Sequence, residues 1–137
     1  MKLPIIKSAI LAGGLALGVS SAYAGDALTV VSWGGAYTKS QIEAYHKPYT
    51  AKYGTKIQSE DYNGGLAEIR AQVEARKITW DVVDLEVSDA ARGCDDGLFE
   101  KISAGSLPNG VNGALPSKDF IPGALQECAV GTIVWST

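Results

Sequence analysis

A chain of 137 residues has room for one compact domain and not two, and its 12 basic against 15 acidic side chains argue against a nucleic-acid partner. With two cysteines, no CxxC and a single histidine, His46, in a helical stretch, it lacks the ligand pattern of a zinc site, so no metal or other cofactor is expected.

Residues 1–24 have the three parts of a secretory signal: Lys2 and Lys7 form a positive end, Ile10–Val19 is apolar and uncharged, and Ala22-Tyr23-Ala24 offers a small-x-small cleavage pattern. The apolar run is too short for the roughly 20 residues of a spanning helix. Cleavage of 24 residues, two of them lysines, leaves residues 25–137: 113 residues with 10 basic and 15 acidic side chains, a net charge of −5. Export meets an oxidising compartment, where Cys94 and Cys128 are expected to pair. The bridge would tie a helix to the last strand and close a loop of more than thirty residues.

Leu28–Trp33 reads as a buried strand, rich in β-branched and aromatic residues and ended by Gly34-Gly35. A helix follows, capped by Thr38 or Ser40, carrying Ile42, Tyr45 and Tyr49 at helical spacing and ending at Gly54, with Pro48 expected to kink or split it. Lys56–Glu60 is a second strand. After the turn Asp61-Tyr62-Asn63-Gly64-Gly65, Leu66, Ile69 and Val73 mark an amphipathic helix to about Arg76. Trp80–Leu85 is a third strand, with Asp81 and Asp84 inside it, one of them placed to cap a neighbouring loop. Ser88 caps a third helix through Cys94, stopped near Gly97, and Leu98, Phe99 and Ile102 dock back on the core. Residues 103–117 form a long Gly/Pro/Asn/Ser loop. Ala129–Trp135 is a fourth strand. This alternation predicts an α/β domain with a parallel sheet.

In such sheets ligands gather beyond the carboxyl ends of the strands. The segments there carry aromatic rings and carboxylates, which together suit an alkylammonium ion: rings stack on its methylenes and charge while a carboxylate pairs the nitrogen. Helix N-termini behind the glycines offer the physical rival, an anion site. No nucleotide fingerprint, nucleophile elbow or HExxH motif is present, and no catalytic group can be assembled, so an enzyme is not expected.

The run LTVVSWGGAYTKSQIEAYHKPYTAKYGTKI, the Tyr-Asn-Gly-Gly turn, WDVVDLE and CDDGLFEKI resemble the N-terminal lobe of extracellular solute-binding proteins of ABC importers, in the spermidine/putrescine-binding group. The resemblance covers nearly all of residues 25–137. It implies one parallel-sheet lobe of a two-lobed, type II periplasmic binding protein: a monomer without catalysis that delivers a polyamine-like cation to an inner-membrane permease. Trp33 matches the family's stacking aromatic and Asn63 lies in the turn that faces the cleft, while Trp135 and Ser136 match the segment where the chain leaves the first lobe. With these, Gly34, Tyr37 and Glu86 complete the expected ligand set. Two departures, Gly34-Gly35-Ala36 before Tyr37 and Leu85-Glu86 where the family has Pro-Ser, leave room for another cation, an amino-acid-like solute or a metal complex. The chain is shorter than family members, as a truncated form would be; a non-functional remnant and a small secreted α/β enzyme with an anion site are the alternatives.

Overall fold

The computed structural model describes residues 27–131. The signal segment, Trp135, Ser136 and most of the expected fourth strand lie outside those residues.

Strand β1 (Leu28–Ser32) is central in a three-stranded sheet of order β2-β1-β3, flanked by β2 (Ile57–Asp61) and β3 (Val82–Val83). Both pairings are parallel, with Val30 opposite Ser59 and Val82, and Val31 opposite Glu60 and Val83. The expected α/β class and parallel sheet are therefore found. Val31, at the middle of the sheet, is fully buried.

The first helical run has three pieces: α1 (Gly35–Gln41), a π turn (Ile42–His46) and α2 (Lys47–Tyr53), closed by Gly54 in the left-handed conformation. Pro48 does interrupt the run, one turn upstream of itself. It has no N–H to give the carbonyl of Ala44, and its ring would crowd that oxygen. The backbone instead donates from Lys47 N–H to the Ile42 carbonyl, a five-residue step. The cap lies elsewhere than expected: the helix starts at Gly35, and Thr38 works from inside it, its Oγ1 accepting the Gly34 N–H at 2.8 Å.

Helix α3 (Ala67–Glu74) buries Ile69, and α4 (Val87–Asp95) starts from Glu86 rather than Ser88. The third strand is shorter than the sequence suggests, since Trp80 and Leu85 fall outside the ladder. Asp81 caps no loop as expected; its Oδ2 instead accepts the N–H of Thr29 in the neighbouring strand β1 at 2.7 Å. Beyond α4 the long loop contains a 3-10 turn (Ala104–Ser106) and a short helix α5 (Pro116–Asp119). Of the expected fourth strand, Val130 makes an isolated antiparallel bridge with Leu125. Cys94 and Cys128 form the expected disulfide, with their Cα atoms 5.7 Å apart. No helix among the described residues is long and apolar enough to cross a membrane.

Candidate functional site

The strand order puts the segment after β1 between those after β2 and β3, so the three carboxyl ends build one rim. Trp33 is its centre. The indole stacks on the Tyr62 ring (centroids 6.3 Å, planes 24° apart) and meets the Tyr37 ring edge-on at 5.5 Å. Tyr62 in turn sits edge-on to Trp80 at 5.6 Å, and the Trp80 Nε1–H donates to Glu60 at 2.9 Å. Tyr62 is buried, yet 37% of Trp33 remains exposed. A tryptophan held by neighbours on one side and open on the other is a stacking platform in search of a second layer.

Glycine is required at two places around it. Gly34 has φ +82, and a Cβ there would stand 2.9 Å from Asp61 Oδ2. Gly64 has φ +83, and its Cβ would stand 3.0 Å from the Trp33 Nε1. The glycines thus serve close approach within the protein, of turn to carboxylate and of turn to indole. A short chain of bonds locks the turn: Thr38 Oγ1 accepts from Gly34 N–H and donates to Asp61 Oδ1 at 3.0 Å.

Beside the rim opens a cavity of about 1090 Å³, lined by Trp33, Tyr37, Asp84 and Glu86. Its lining also takes in Val82 on the outer edge of β3, Leu98 and Phe99, together with the charged Arg76 and Glu100. Of the sequence-derived ligand set, Trp33, Tyr37 and Glu86 come together on this wall. Gly34 shapes the turn behind it, the exposed Asn63 stands away from the cavity, and Trp135 lies outside the described residues.

Two residues at the rim, Asp84 and Gln41, were missed by sequence reasoning. Asp84, half-buried just past β3, accepts a hydrogen bond from the Gln41 Nε2, and its backbone carbonyl accepts one from the Tyr62 hydroxyl. The missed signal was strand length: a strand running to Leu85 buries Asp84 in the sheet, whereas one ending at Val83 puts it at the ligand-bearing end. Gln41 is 2% exposed and His46 is buried as well. Burial, and then the negative charge of Asp84, raise the pKa of Tyr37; the same two causes push Tyr62 up to about 12. Burial lowers the His46 pKa, against the opposing pull of Asp84. The hydroxyls of Tyr37 and Tyr62 are therefore neutral at neutral pH, and that of Tyr62 donates to the Asp84 carbonyl.

The N-terminus of α4, at the cavity's edge, has Asp89 in its first turn, a negative charge that disfavours an anion there.

No family model matches the chain. It is 38% identical over 123 residues to the γ-aminobutyric acid-binding protein of Pseudomonas aeruginosa, a match that takes in 90% of this chain and 33% of that one. In structure it is similar to the PBP MotA from A. tumefaciens B6, solved with glucopine, at a TM-score of 0.63 and 25% identity, over 74% of this chain and 28% of that one. It also resembles an ABC transporter substrate-binding protein from Bradyrhizobium japonicum USDA 110, at a TM-score of 0.55 and 34% identity over 59% and 27%. The chain spans about a third of the length of the curated relative it matches. Its fold is that of a periplasmic-binding-protein lobe; the three proteins compared are all named as binding proteins, one of them of an ABC transporter, and none of the three is named for a polyamine.

Proposed function

We propose that this chain is a solute-holding lobe of a periplasmic substrate-binding component of an ABC importer, exported by residues 1–24, and that it takes small amino-bearing solutes for an inner-membrane permease. The observation that carries this reading is the half-exposed Trp33 indole, edged by Tyr37, on one cavity wall with two carboxylates. An alkylammonium group gains ~0.5 to 2 kcal/mol from each ring it faces, and a carboxylate beside the ring pairs its charge. The expected polyamine widens to a broader class, because γ-aminobutyric acid, the ligand for which a relative is named, carries the same primary ammonium on a short carbon chain. Trp33 and Tyr37 are assigned the stacking, Gly34 the turn that presents the indole, Glu86 a place at the cavity mouth, and Asn63 and Trp135 contacts from outside the wall.

The test is thermal unfolding of the purified chain with millimolar γ-aminobutyrate, putrescine or spermidine, and phosphate as the anion control. A ligand at 100 times its Kd stabilises the native state by about 2.7 kcal/mol. The amines should raise the melting temperature, phosphate should not, and Trp33→Ala should abolish the shift. A shift with phosphate alone would replace this reading by the anion site.

A further inference from the structure

Two carboxylates of the cavity lining, Asp84 and Glu86, follow β3, and they are not equivalent. We infer that Asp84, held by Gln41, receives the ammonium group of the solute, with Glu86 secondary at the mouth. The inference rests on the reading of the site as a holder of amino-bearing solutes and assigns the charge within it.

Asp84 is fixed at both its backbone and its side chain. Its N–H donates to the Val31 carbonyl at 2.9 Å, prolonging the β1–β3 ladder, and its carbonyl takes the hydroxyl of Tyr62, the ring on which Trp33 stacks. The carboxylate is therefore tied to the same aromatic wall that forms the platform. Its Oδ2 accepts from Gln41, itself almost fully buried, which fixes the rotamer. The second oxygen, Oδ1, takes no hydrogen bond from the described residues, and no basic side chain among them pairs with Asp84. A half-buried carboxylate with one oxygen committed, the other without a hydrogen bond and no salt-bridge partner among the described residues is placed to take a cation. It lines the cavity with Trp33 and Tyr37, so one cavity presents both the carboxylate and the rings to a solute. That its charge is felt at the hydroxyls of both Tyr37 and Tyr62 supports this placement.

Glu86 differs in each respect. It is exposed, caps α4 with its backbone, and makes no side-chain capping bond. Water screens its charge, and several rotamers must be given up before it can bind.

The experiment is an NMR titration giving Kd for γ-aminobutyrate and for butyrate, which lacks the amine, with the unaltered chain, Asp84→Asn and Glu86→Gln. Asparagine keeps the oxygen that Gln41 needs, so the fold is retained. Loss of a charge-assisted bond predicts that Asp84→Asn weakens γ-aminobutyrate about 10- to 100-fold. Butyrate should bind Asp84→Asn no more weakly than the unaltered chain, since it has no amine to lose. Glu86→Gln should weaken γ-aminobutyrate by less, about 5-fold at most. If Asp84→Asn leaves γ-aminobutyrate within about 2-fold, or weakens butyrate equally, the role of Asp84 is overturned; should Trp33→Ala still abolish binding, the amine-site reading itself stands. Absence of binding by the unaltered chain at tens of millimolar overturns both.

Discussion

The disulfide is the perturbation whose size can be worked most directly. Cys94 lies in α4, Cys128 is 34 residues further on, and the bridge holds the segment around Cys128 against the helix. Other ties there are few: Ile102 N–H donates to the Glu127 carbonyl at 2.7 Å, Lys101 pairs with Glu127 on the surface, and Leu125 bridges Val130. In the chain-entropy model a 34-residue loop restrains the unfolded state by about 12.6 cal/mol/K, hence about 4 kcal/mol at 25 °C. For a domain of this size each kcal/mol shifts the melting temperature by about 4 °C, so the double variant Cys94→Ala/Cys128→Ala should melt about 15 °C lower. Circular-dichroism melts of the variant, and of the unaltered chain with and without a phosphine reductant, measure the shift. Reduction should reproduce the variant, and the Ile102 amide should lose protection from hydrogen exchange in both. A drop below about 3 °C with Ile102 still protected would refute the reasoning, because the segment would then be held by contacts that do not need the bridge.

Two further outcomes are expected. Gly93 in α4 is buried, and a Cβ there would stand 2.9 Å from Phe99 Cζ and 3.1 Å from Leu66 Cδ2, so Gly93→Ala should destabilise by about 1 to 2 kcal/mol in denaturant melts although alanine is the better helix former. His46 is the only histidine, and burial holds its folded-state pKa below the ordinary value, so the unfolded chain takes up the proton first. Its contribution is complete above the unfolded pKa, near 6.5, and is lost as pH falls from there through the folded pKa. Melting temperatures between pH 8 and 5 should therefore decline in the unaltered chain and flatten in His46→Gln.

Much of this fold could be read from residue patterns. Leu28–Ser32 carries three β-branched side chains, Ile57–Asp61 lies between Gly54 and the Gly64-Gly65 turn, and Ile69 falls on the inner face of α3 as its spacing implied. Trp33 and Tyr37 were legible for the same reason: a ligand in a parallel sheet has to meet whatever follows the first strand. Asp84 was not. The two aspartates of WDVVDL read as lying inside a six-residue strand, whereas pairing covers only Val82 and Val83 between them. Its bounds are marked by tertiary bonds, that of Asp81 to Thr29 before it and those of Gln41 and Tyr62 to Asp84 after it, all with residues more than twenty positions away. The stacking of Tyr62 beneath Trp33 is equally non-local, fixed by Gly64 folding the second turn against the indole.

The π turn connects a single proline to that site. Gln41 and His46 are five residues apart, and in a regular α-helix they would point about 140° from one another. Both are buried here, and the charge of Asp84 reaches both. A five-residue hydrogen-bond step brings His46 back over Gln41, which places an amide beside the carboxylate and an imidazole on the wall of a second cavity of about 370 Å³ with Ser59. Pro48 forces that step by denying Ala44 its α-helical donor. Pro48→Ala restores the donor, and the run should relax toward a continuous α-helix that turns His46 outward. The imidazole would then be hydrated, and its pKa should rise toward the ordinary value. A proton NMR titration of the lone histidine reads this without ambiguity of assignment. An unchanged, still lowered pKa in Pro48→Ala would show that the inward packing of Gln41 and His46, rather than the proline, holds the π turn in place.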